Sequence, residues 1–137
     1  MKRTLLAVLL AALITSGCSS IQTDIGTFMG QGPRDLQKAR SKGSSRLYAL
    51  PYQEAFGNVE SLIKSQGLKI YQLDRERGYI VVIGLPRQTD TTRVGIFFDA
   101  EGEEKTRITL SSLSSSALVK AENMIFGSIK SDVVIID

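Results

Sequence analysis

Cys18 is the only cysteine in a chain of 137 residues that contains no histidine. A thiol attacks as its thiolate, and a serine hydroxyl needs a base to take its proton. With no histidine to do this, cysteine–histidine and serine–histidine nucleophiles are excluded, and so are the usual zinc sites. Two other groups have the right residue types for chemistry. Asp99, Glu101, Glu103 and Glu104 supply carboxylates of the kind a glycosidase pairs, yet they surround Gly102 and Lys105 in one turn, the pattern of a solvated hairpin tip. Ser111, Ser112, Ser114, Ser115 and Ser116 precede Lys120 and would suit a serine–lysine dyad, but helix capping explains such a serine run more simply. No Gly-rich phosphate loop is present, and Gly57, inside an apolar helical stripe, is expected to mark close packing against a sheet. The residues point to a protein that is not an enzyme, with no cofactor and no metal.

The placement of Cys18 carries a different chemistry. It follows a basic start (Lys2-Arg3), an apolar run from Leu5 to Ile14 and the small residues Ser16-Gly17, the three parts of an export signal. Ten apolar residues rise about 15 Å as a helix, half of a hydrocarbon core of about 30 Å, so this run does not span a membrane. Ser16-Gly17-Cys18 resembles the lipobox of bacterial lipoproteins, with Thr15 where that family usually has Leu, Val or Ile. The resemblance implies cleavage between Gly17 and Cys18, acylation of the sulfur and the new amino group, and a membrane partner through acylated Cys18. Several acyl chains together hold a protein at a bilayer where one chain binds only marginally. The family retains proteins in the inner membrane when Asp follows the cysteine. Ser19 stands there, which implies the cell envelope, at the periplasmic face of the outer membrane.

Signal removal also changes the charge argument. The whole chain is +3, but Lys2 and Arg3 leave with residues 1–17 and the remainder is +1. No concentrated basic face for nucleic acid is expected. Residues 18–45 read as a lipidated flexible tether, broken by glycines, Pro33 and serines, that spans about 30 Å r.m.s. as a coil. Within it, Ile21, Ile25, Phe28 and Met29 fall on one helical face and are candidates for membrane or partner contact. Arg34, Lys38, Arg40, Lys42 and Arg46 form a basic cluster, a candidate for contact with an anionic surface.

Residues 46–137 carry the periodicity of a folded domain. A strand over 46–50 is followed by Pro51 and an apolar stripe of Tyr52, Ala55, Phe56, Val59, Leu62 and Ile63 that ends at Gly67, a helix with its stop. Strands over 68–73 and 79–85 flank the charged turn Asp74-Arg75-Glu76-Arg77-Gly78. Tyr79 to Ile83 is apolar on both alternating faces, as in a central strand covered on both sides. Strands containing Val94, Ile96 and Phe98, then 105–113, lead to a second helix with Ala117, Leu118, Ala121, Met124, Ile125 and Ile129 on one face, ending near Asp132. Residues 133–136 are strand-like, either an edge strand or a tail packed on the sheet. The expectation is an α+β fold in β-α-β-β-β-β-α order: a single antiparallel sheet of about four to five strands with two helices packed on it.

This order resembles the helix-grip modules of certain envelope lipoproteins, including the accessory lipoprotein of the outer-membrane β-barrel assembly machine and small lipoproteins of unknown function. The resemblance is one of architecture. With the anchor and the missing catalytic groups, it suggests a non-catalytic interaction or assembly module whose partner is an envelope protein or the cell wall. Turn tips such as Arg75 to Arg77 are candidate contact surfaces. The alternative is a carrier or sensor holding a small apolar ligand between sheet and helix. For it, adjacent Phe97 and Phe98 place one ring on each face of the sheet, and one ring is free to line a cavity or to lie under a helix or the tether.

Overall fold

The computed structural model describes residues 31–89, 91–129 and 133–134. The first element is helix α1 (Gln31–Lys38), continued by a 3-10 turn (Ala39–Lys42) into strand β1 (Ser44–Tyr48). Then come α2 (Tyr52–Ser65), β2 (Lys69–Asp74), β3 (Tyr79–Ile83), β4 (Val94–Ala100), β5 (Thr106–Ser112), α3 (Ser115–Ala121) with a π-helical turn (Glu122–Phe126), and a two-residue β6 (Val133–Val134). The strands form one antiparallel sheet in the order β2-β3-β4-β5-β1-β6. The class is α+β, and from β1 to α3 the order is the expected one. Val133–Val134 adds an edge strand by pairing with Leu47 and Tyr48.

Periodicity sets the main core. Alternate residues Ile80 and Val82, Val94, Ile96 and Phe98, and Ile108 and Leu110 meet Ala55, Phe56, Val59 and Ile63 of α2 and Ala117, Ala121, Ile125 and Phe126 of α3 and its π-turn. Gly67, at φ 72°, takes the left-handed position that ends α2, and Leu68 N–H bonds back to Ile63 O at 3.1 Å. Ser114 caps α3, its Oγ accepting from Ala117 N–H. The second helix stops short of the expected Asp132. The π-turn widens the last coil so that the consecutive residues Ile125 and Phe126 both reach the core, and Gly127 follows it.

Two expectations are corrected here. Residues 31–45 are not tether: they form α1, the 3-10 turn and the start of β1. The physical reason is the second face of the sheet. Tyr79, Val81 and Phe97 point away from α2 and α3, and Leu36 of α1 is buried against them. Gly95 makes this approach possible, because a Cβ there would lie 2.7 Å from the Phe97 ring and 3.2 Å from Leu36 Cβ. Leu36 O also accepts from the buried Ser111 Oγ at 2.6 Å. Gly57 is the second correction. A Cβ there meets nothing within 4 Å, so close packing against the sheet is not its role.

Candidate functional site

An open cleft of about 460 Å³ lies between α1 and the two loops that enter β4 and leave β5. Its walls are Asp35 and Leu36 of α1, Thr91, Thr92 and Arg93 before β4, and Ser112, Leu113 and Ser114 after β5. Three separate elements meet there because α1 docks over β4 and β5 while the strand ends bring both loops to the same edge. Ser112 Oγ ties the loops together, donating to Arg93 O at 2.9 Å.

The rim carries exposed apolar surface beside one cation. Leu113 is 75% exposed, and Arg93 stretches its guanidinium over the Tyr71 ring, 4.2 Å from the centroid, with Tyr71 itself half exposed. Tyr71 is brought there by a bulge: the β2–β3 register shifts between Ile70 and Gln72, so Tyr71 is the extra residue on an edge strand. Leu73, two residues on in β2 and paired with Ile80 on the α2 face of the sheet, is also exposed. The result is a mixed cleft of leucine, hydroxyl and charged side chains, linked through Arg93 to the exposed Tyr71 ring beside it. Such a lining can offer hydrogen bonds and apolar contact.

The groups that sequence reasoning singled out for catalysis are all in structural use or open to water. Asp99 pairs with Arg40 and Glu101 with Arg107, and both carboxylates are substantially exposed. Glu103 and Glu104 are exposed in the turn between β4 and β5. Ser111 and Ser112 bond backbone carbonyls, Ser114 caps α3 and bonds Ser116, and Lys120 Nζ donates to Pro86 O at 2.7 Å rather than to a serine. Among the described residues no group of three metal-ligating side chains comes together, and no helix is long and apolar enough to cross a membrane.

The expected contact residues fare differently. Gly17, Cys18, Ile21, Ile25, Phe28 and Met29 lie outside the described residues. The basic cluster is divided. Arg34, Lys38 and Lys42 are exposed on α1 and its 3-10 turn, whereas Arg40 turns inward to Asp99 and the Phe97 ring, 4.6 Å from its centroid. Arg46 lies on the other side of the sheet, over Phe126 at 4.7 Å. Beneath it Tyr48 is fully buried, and its hydroxyl, with Arg46 nearby, closes no hydrogen bond of good geometry among the described residues. Burial pushes that phenol's pKa up, and the nearby Arg46 charge offsets part of the rise.

The hairpin tip expected as a contact surface is partly spent on the fold. Arg75 reaches Glu60 at 3.0 Å and lies over Phe56 at 4.4 Å, while its carbonyl accepts from Tyr52 Oη at 2.6 Å. Glu60 is held below the ordinary carboxylate range chiefly by its hydrogen bond from Lys64, with partial burial opposing and the charges of Lys64 and Arg75 assisting. The cleft residues Thr91, Thr92, Arg93 and Leu113 were not anticipated. They come from distant parts of the chain, and no spacing announces them.

No family model, curated protein or solved structure matches the chain. The reading of its function therefore rests on the residues and their geometry.

Proposed function

We propose that this protein is a lipid-anchored lipoprotein of the cell envelope that acts as a non-catalytic interaction or assembly module, facing the periplasm from the outer membrane. The anchor is Cys18, and the binding surface is the rim of the cleft together with edge strand β2. The observation that carries this reading is the grouping of Tyr71, Arg93 and Leu113. Arg93 and the exposed Leu113 line one cleft that also holds four hydroxyl side chains, and the Arg93 guanidinium reaches over the exposed Tyr71 ring. Tyrosine and arginine are the residues that dominate binding energy at protein interfaces, and an edge strand offers unpaired backbone groups to a partner strand. By contrast, the serines beside the cleft are committed to loop and capping bonds.

The alternative, a carrier of a small apolar ligand, loses the feature that suggested it. Phe98 packs on Phe56 with ring centroids 4.6 Å apart, and Phe97 lies under Leu36 and Arg40. Both rings are occupied by the protein itself.

The test is site-specific photo-crosslinking in cells, with the crosslinker at Tyr71 or Leu113 of the full chain and, as a control, at Glu103 on the far turn. Discrete adducts from the first two positions, weakened by Cys18→Ala in a form that is still exported, are the expected result. Correctly localised protein that yields no specific adduct from either position would sink the proposal.

A further inference from the structure

The fold sorts the five cations of the basic stretch, and the sorting selects a surface. Arg40 is engaged by Asp99 and Phe97, and Arg46 by Phe126 on the opposite side of the sheet. Arg34, Lys38 and Lys42 remain, each exposed and with no ion pair among the described residues. They sit on the layer formed by α1 and its 3-10 turn, which presents Leu36 to the sheet and these cations to solvent, against one exposed carboxylate, Asp35, on the cleft side of α1. The opposite layer lacks this character: α2 carries Glu54 and Glu60 against Lys64, and α3 with its π-turn sets Lys120 against Glu122.

Covalent geometry supplies the second constraint. Only residues 19–30 separate Cys18 from Gln31, a span of at most about 45 Å even when fully extended. That is comparable with the width of a domain of this size, about 30 Å. Gln31 opens α1, so the layer joined directly to the anchor is also the layer whose cations have no ion pair among the described residues.

We infer that the outward face of α1 docks on the anionic headgroups of the bilayer that holds Cys18, with Arg34, Lys38 and Lys42 as its contacts. The inference rests on the reading of Cys18 as the lipid anchor. Such attraction acts only within a Debye length of about 8–10 Å, so it orients a domain that the acyl chains already keep nearby. Three cations less the one carboxylate, Asp35, correspond to roughly a thirtyfold preference for the docked orientation. In that orientation the sheet lies along the membrane. Strand β2, two strands from β4 and so about 10 Å to the side, is left open to a partner in the membrane plane.

The experiment uses the processed lipoprotein, purified from cells and reconstituted in vesicles of phosphatidylethanolamine with phosphatidylglycerol, or of phosphatidylcholine alone. Intact mass is measured first, then the rate of amine acetylation at Lys38 and Lys42, with Lys64 on the opposite layer as reference. Docking predicts acetylation of Lys38 and Lys42 about tenfold slower in the anionic vesicles, with Lys64 unchanged. High salt should abolish the difference, and Arg34→Glu should remove most of it. An acylated protein whose lysines react equally in both vesicles overturns the docking and leaves the anchor standing. A mass showing unmodified Cys18 overturns the anchor, and the docking falls with it.

Discussion

On one face of the sheet, Phe98 and Phe56 meet as tilted rings with centroids 4.6 Å apart inside a core that two helices close. On the other, Phe97 is covered by Leu36 of a two-turn helix and by the guanidinium of Arg40. The first cover is built from long apolar stripes. The second is built from one leucine, a glycine that lets it approach, and a cation over a ring. Burial of apolar area is what stabilises each layer, so the α2 and α3 side holds the domain together, and the α1 side is the layer that can open with least loss. It is also the layer nearest Cys18 in the chain, with the cleft along its edge.

Truncation on the two sides should separate these roles. Phe56→Ala removes a fully buried ring from the main core and is expected to cost about 4–5 kcal/mol of unfolding free energy. Leu36→Ala should cost about 2–3 kcal/mol. Denaturant unfolding gives the totals, and hydrogen exchange gives the distribution. Leu36→Ala should speed exchange in α1 and at the outward face of β4 while leaving α2 protected. Equal loss of protection on both faces would mean that the sheet and both covers open as one unit.

A change inside the main core should have the opposite sign. The Tyr48 hydroxyl is buried with no hydrogen-bond partner among the described residues, a condition that costs about 1–3 kcal/mol. Tyr48→Phe keeps the ring beside Phe126 and removes the orphaned group, so unfolding free energy should rise by about 1 kcal/mol. A loss instead would show that the hydroxyl has a partner in solution, which the nearby Arg46 guanidinium or ordered water could supply.

The unequal legibility of the two faces in the sequence has the same cause as their unequal strength. Helix α2 announced itself because Ala55, Phe56, Val59 and Ile63 repeat at helical spacing, and all four are buried. Helix α1 did not. Its sheet-facing surface is little more than Pro33, Leu36 and Arg40, and Gly30, Gly32 and Pro33 resemble linker punctuation. The signal lay on its partner: Phe97 beside Phe98 required a cover on both faces, but the strand does not say which segment provides it. The cleft was illegible for another reason, since Asp35, Arg93 and Leu113 share neither a spacing nor an element. Gly57 misled by its setting. A glycine in an apolar stripe suggests close approach, yet the space beside it is open, so Gly57→Ala should stabilise α2 by about 0.5–1 kcal/mol, read as a higher melting temperature.

The smallest expected effect tests how charge is used on the two sides. On α2, Glu60 accepts from Lys64 at 2.7 Å and from Arg75 at 3.0 Å, which pins the β2–β3 turn to the helix. On the α1 side the counterpart is the pair of Arg40 with Asp99, whose carboxylate is half exposed. Glu60 in the folded protein titrates below its ordinary value of 4.5, first because of the Lys64 hydrogen bond. The unfolded chain therefore takes up that proton at higher pH than the folded one. The stabilisation is complete above the unfolded value and is lost as pH falls through the lower folded value. Lys64→Met removes the leading cause, so it should cost about 0.2–0.5 kcal/mol at neutral pH and flatten the acid limb of the stability curve. Asp99→Asn, by comparison, should change stability little and instead loosen the 3-10 turn, seen as faster exchange around residues 39–43. If Lys64→Met leaves the acid limb unchanged, Arg75 alone is sufficient to hold Glu60 ionised, and the turn is fixed from the hairpin rather than from the helix.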